Sequence, residues 1–122
     1  MDRHNDILTN AQKIHNKIEE LEKKRDDIFQ FANDKADSIS IYEKNLALTI
    51  LRIKNGNIKF FEGVPIPEKL AVTLIRDVAK GICYKDVFTK EANEAGYKGI
   101  VTICECIRAE LNGLQSINKH LE

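Results

Sequence analysis

Proline and glycine are missing from everything before Gly56, and the whole chain of 122 residues holds two prolines and six glycines. Nothing in that opening stretch forces a helix to stop. Net charge is missing too: 19 basic and 19 acidic side chains cancel. A balanced total excludes a strongly polyanion-coated partner as the obvious reading, while leaving room for local basic patches. No apolar run is long enough to cross a bilayer, and the polar opening MDRHND carries no secretory core, so a cytoplasmic protein with no membrane partner is expected. Cysteine is scarce and odd in number. Cys104 and Cys106, in C-x-C spacing, point to different faces of a helix and do not form a chelating pair, and free thiols are expected with Cys83. His4, His15 and His120 lack ligand spacing, so no metal is expected. Repeats, low-complexity tracts, Walker loops, G-x-S-x-G and H-E-x-x-H are all absent. No catalytic residue is assigned, no cofactor is expected, and the chain reads as a non-enzyme.

What is present is a stripe. Ile7, Ala11, Ile14, Ile18, Leu21, Arg25, Ile28 and Ala32 recur in steps of four and three. Ile7, Ile14, Leu21 and Ile28 occupy one core position of a heptad; Ala11, Ile18, Arg25 and Ala32 occupy the other. The frame runs on less cleanly through Ile39, Tyr42, Leu46 and Ile53, interrupted by Lys35 and Thr49. Asp6 is placed to cap the N-terminus. One helix over residues 6–54 would be about 70 Å long. Asp37 or Ser38 offers the alternative of a second cap and a break. A helix that long must cover its stripe with something, and copies of the chain are expected. Ile7, Ile14, Ile18, Leu21, Arg25 and Ile28 are the candidate oligomer interface, with Arg25 setting register against an acidic residue of a neighbouring chain.

Asn55-Gly56-Asn57 ends the helix, because Asn and Gly tolerate the left-handed conformation. Residues 55–66 form an apolar connector with extended character, punctuated by Gly63 and Pro65. Pro67 and Glu68 suit the first turn of a further helix. Helical pattern then fills residues 67–121, ending in the stripe Ile100, Ile103, Cys104, Ile107, Leu111, Leu114, Ile117 and Leu121. Gly81 marks a kink or an end. Gly96 and Gly99 either admit a close neighbour or lie in a loop over 95–99. The expected fold is all-α: a long N-terminal coiled-coil helix, a short connector and a C-terminal helical segment folding back, in one elongated oligomeric unit.

Positive charge beside aromatics is the remaining chemical signal. Arg52, Lys54 and Lys59 bracket the connector next to Phe60 and Phe61. Cations for phosphates beside rings for bases are a device of single-strand binding. At least one of the two phenylalanines is expected to be a core plug instead. Lys69, Arg76 and Lys80 fall at seven- and four-residue steps and would share a helix face, either as a second basic stripe or as ordinary solvent surface.

The segments YEKNLALTILRIKNG, LAVTLIRDVAKGICYKDV and GYKGIVTICECIRAELNGLQSINKHL, in that order, resemble small phage proteins of the UvsY-like recombination-mediator type. The matching elements are Lys69 to Asp77, the aromatic Tyr97, the stripe from Ile100 to Leu111, and the ending Leu114-Gln115-Ser116-Ile117-Asn118-Lys119, within roughly residues 40–121. The resemblance implies a helical, ring-forming oligomer that binds single-stranded DNA. It also implies that the protein helps load a RecA-type recombinase onto strands covered by a single-strand binding protein. Basic residues near the end of the N-terminal helix contribute in such proteins, and Arg52 and Lys54 lie in the comparable stretch. Two rivals stand beside it: a phage or mobile-element inhibitor binding a host defence protein, of anti-defence or anti-CRISPR type, and a structural coiled-coil adaptor.

Overall fold

The computed structural model describes residues 3–121, with side chains from Thr9 onward. Three helices account for most of these residues: α1 (Arg3–Lys54), α2 (Val72–Ile82) and α3 (Tyr84–Leu121). A two-stranded antiparallel hairpin, β1 (Phe60–Phe61) and β2 (Val64–Pro65), sits between α1 and α2.

α1 runs without a break through Asp37 and Ser38. The Ser38 hydroxyl donates to the Lys35 carbonyl at 2.9 Å, and the Thr49 hydroxyl to the Asn45 carbonyl at 2.7 Å. Both hydroxyls are thus satisfied by their own helix, which lets these two polar residues be buried. α1 already includes Arg3, so Asp6 lies within the helix and not at its start, and the Asp6 side chain lies outside the described residues. The Ile7 side chain lies outside the described residues.

Contacts fall into two compact units: the chain up to Ala32 with the chain from Ala95, and Asn33–Glu94. The first is a seam between two helices. Leu21 of α1 is buried with Cys104 and Ile107 of α3, and Ile28 packs against them. The Lys17 ammonium pairs with the Glu110 carboxylate. α3 stays helical through Gly96 and Gly99, so no loop forms there. At Gly96 a Cβ would lie 3.0 Å from the Phe31 ring, which explains that glycine by close approach, whereas a Cβ at Gly99 would meet nothing within 4 Å.

Part of the α1 stripe expected to meet copies of the chain is covered by α3. At Leu21 and Ile28 the chain covers it itself. The inward face also takes half-buried Lys17 and Lys24, while Ala11, Ile18 and Arg25 stay exposed. A lysine stem packs on apolar surface while its ammonium reaches water or a carboxylate, here Glu110. The in-chain seam therefore runs through positions three residues after Ile14 and Leu21, not four.

The second unit is built around Leu46, Ile53, Ile75 and Ala79, with Tyr42, Ile50, Ile58, Ile66, Leu70 and Val78 packed on them. Side-chain polar contacts close it: Asn45 donates to Asp86 at 2.9 Å, Asn93 donates to the Asp34 carbonyl at 3.3 Å, and Lys90 sits 5.3 Å from the Tyr42 ring centre. Cys83 is buried 3.4 Å from the Thr49 hydroxyl and separates α2 from α3. α2 starts at Val72, not at Pro67 or Glu68, and has no acidic residue in its first turn. The intervening residues run irregularly instead, and both Ile66 and Leu70 pack on the core. Both are partly buried, so each gains a share of the roughly 1.5–3 kcal/mol of full burial, and together they outweigh the dipole term of about 0.3–1 kcal/mol that favours an earlier start. None of the helices described is long and apolar enough to cross a membrane.

Candidate nucleic-acid interface

The basic end of α1 is shaped by the way the helix stops. Gly56 takes φ +74. The Asn57 N–H bonds the Arg52 carbonyl at 2.9 Å, and the Gly56 N–H bonds the Ile53 carbonyl at 3.1 Å. This pair of bonds, with a left-handed glycine between them, is the Schellman closure. It satisfies carbonyls at the negative pole of the helix, where Arg52 and Lys54 also complement the dipole.

The chain then enters the hairpin. Phe60 pairs with Pro65 and Phe61 with Val64, and the two-residue turn Glu62-Gly63 has φ of +51 and +75. Positive φ at both central residues matches the right-handed strand twist. Successive strand residues face opposite sides, and here that separates the two phenylalanines. Phe61 is half-buried and aimed at α2: a Cβ at Gly81 would lie 2.7 Å from its ring. Phe60 is 61% exposed. One ring is the plug and the other is open.

Lys54, Lys59 and Phe60 line one cleft of about 640 Å³, walled by Ile53, Ile58, Ile66, Leu70 and Ile75 and edged by Asn55 and Glu68. Glu68 is the one carboxylate among those lining residues. Arg52, Lys69, Arg76 and Lys80 do not line it. All four are exposed. Arg76 and Lys80 are one turn apart on α2, but Lys69 precedes the helix, so the three do not form a single helical stripe. From Arg52 to Lys80 the chain carries Arg52, Lys54, Lys59, Lys69, Arg76 and Lys80 against Glu62, Glu68 and Asp77, a local positive excess in a chain neutral overall. None of the six bases is ion-paired among the described residues.

The arrangement brings two cations, unpaired among the described residues, and an exposed ring onto one cleft of mixed polar and apolar lining. Two cations and an exposed ring suit a phosphate backbone and an unstacked base. Asn55 and Glu68 also line the cleft, a role their sequence context does not indicate. Asn55 was legible only as a helix-stop residue, and Glu68 was read as a helix dipole partner. Elsewhere, Cys104 is buried and Cys106 exposed, so the C-x-C pair is divided between interior and surface. No group of three or more His, Cys, Asp or Glu that could hold a metal occurs among the described residues. No protein-family model, curated protein or solved structure matches this chain.

Proposed function

We propose that this chain is a non-enzymatic, self-associating accessory protein that binds single-stranded DNA and acts as a phage-type recombination mediator in a bacterial host cytoplasm. The observation that carries the reading is the exposed Phe60 beside Lys54 and Lys59 on one cleft. The resemblance to UvsY-like mediators supplies the rest: a RecA-type recombinase to be loaded and a single-strand binding protein to be displaced. Several weak clefts on one assembly would add through avidity.

Single-strand binding measured against salt tests it. Each phosphate contact adds about 0.7 to the log–log slope. Lys54→Ala with Lys59→Ala lowers both affinity and slope, while circular dichroism stays unchanged because both side chains are exposed. Arg52→Ala, outside the cleft, has the smaller effect. Phe60→Ala loses about 1–3 kcal/mol per stacked base and leaves the slope alone.

A second reading is favoured by Tyr84 (62% exposed) and Phe88 (74% exposed), one turn apart on α3. Open aromatics on a helix suit a protein partner. A chain that binds no single-stranded DNA at low salt but captures a host defence protein would be an inhibitor, and the mediator reading would fall.

A further inference from the structure

On α1, Ile18, Glu22, Arg25 and Phe29 succeed one another at steps of four, three and four residues and so share one helix face. All four are exposed, Phe29 at 71% and Ile18 at 39%. This face lies beside the one that carries Leu21 and Ile28 to α3. Neither Glu22 nor Arg25 has an ion pair or side-chain hydrogen bond among the described residues. A phenylalanine in water and an unpaired acid and base on the same short stripe are each ordinary alone. Their order is not: apolar, acid, base, apolar is its own complement when read backwards.

We infer that this face binds a second copy of the chain, antiparallel, about a two-fold axis passing between Lys23 and Lys24. In that arrangement Ile18 meets Phe29 of the second copy and Glu22 meets Arg25 of the second copy, each pair occurring twice, as an isologous contact requires. A parallel copy in register would set Glu22 on Glu22 and Arg25 on Arg25, which charge repulsion opposes. Arg25 thus sets register with Glu22 as its opposite number. The stripe covers only about 17 Å of helix, so the contact is small and the dimer dissociates at micromolar concentrations. The inference rests on the self-association in the reading above and is independent of its DNA binding. A failed DNA titration leaves the mass measurement standing, and a monomeric mass leaves the titration standing.

Sedimentation equilibrium of the full chain tests it. At tens of micromolar, the unmutated protein has twice the 13.9 kDa chain mass and falls to monomer on dilution. Glu22→Arg and Arg25→Glu each weaken the dimer at least roughly tenfold by setting like charges together. Mixing the two variants in equal amounts restores it, because one copy then presents two bases and the other two acids. Misfolded variants cannot produce that rescue. Phe29→Ala weakens the dimer without changing its response to salt. A monomeric unmutated chain, single variants that keep the dimer, or folded variants that fail to pair on mixing would each overturn the inference.

Discussion

The two units of this molecule solve the same problem with different resources. The unit spanning Asn33–Glu94 has three helical segments and a hairpin, and it surrounds Leu46, Ile53, Ile75 and Ala79 with six further apolar side chains. The unit made from the chain up to Ala32 and from Ala95 has two helices and a seam of Leu21, Cys104 and Ile107 backed by Ile28. Two helices hide only one stripe of each from water. What remains exposed in the first unit, Phe60 beside unpaired lysines, has the composition of a ligand surface. What remains exposed in the second, Ile18 and Phe29 about an acid and a base, has that of a self-complementary contact. A closed core leaves a surface free for a ligand, whereas a two-helix seam leaves apolar surface that calls for another helix.

Truncating each core separates the two units most strongly. Leu46→Ala removes a 5% exposed side chain from the cluster it forms with Ile53, Ile75 and Ala79 and costs about 3–5 kcal/mol, at the upper end for leucine deletions. Leu21→Ala, in the thinner seam, costs about 2–3 kcal/mol because solvent and neighbouring stems relax into the space. Urea unfolding of both variants measures the gap, and equal losses would mean that the seam is as well packed as the core.

Glycine replacements sharpen the comparison on a smaller scale. Gly99→Ala on α3 gains about 0.8–1 kcal/mol of helix propensity, since its Cβ enters open space. Gly81→Ala forfeits that gain, because a Cβ 2.7 Å from the Phe61 ring displaces the hairpin plug at about 1–3 kcal/mol. Thermal melts that rank Gly81→Ala above Gly99→Ala would remove the hairpin from the closure of its unit.

The smallest effect belongs to the ion pair of the seam. The Lys17 pKa is raised, first by its hydrogen bond to Glu110 and then by Glu20. A raised folded-state value adds stability that is present below the ordinary lysine range and fades as pH climbs through the raised value. Lys17→Met should therefore match the unmutated protein in strongly alkaline solution and trail it slightly at neutral pH. A constant difference across that range would assign the effect to packing of the stem instead of to charge.

Much of this architecture was written locally in the chain. A stretch free of Gly and Pro became α1, and the Asn-Gly-Asn stop became a Schellman closure with Gly56 left-handed. The basic residues around Phe60 were legible as types and spacing. The exposed member of the phenylalanine pair was not, because strand alternation decides it and the register depends on the Glu62-Gly63 turn. The side chains that line the in-chain seam of α1 were hidden for a related reason. Hydropathy ranks Ile18 above Lys17 for burial, yet Lys17 is half-buried and Ile18 exposed, because a carboxylate on another helix receives the ammonium. The start of α2 was hidden likewise. Pro67 and Glu68 carry a local helix-start signal, but the tertiary demand for Ile66 and Leu70 in the core overrides it. Contacts distant in sequence decided each of these points, and none of them leaves a periodic trace.

The central claim is that the open cleft of the hairpin unit, not the two-helix seam, takes the nucleic acid. A titration of the unmutated chain with single-stranded DNA across a salt series, repeated with Lys54→Ala plus Lys59→Ala and with Lys17→Ala plus Lys24→Ala, tests it most directly. The account predicts measurable binding at low salt, a slope that falls by about 1.4 when the two cleft lysines are removed, and no change when the two seam lysines are removed. Absent binding at low salt, or an equal loss from both pairs, would contradict it.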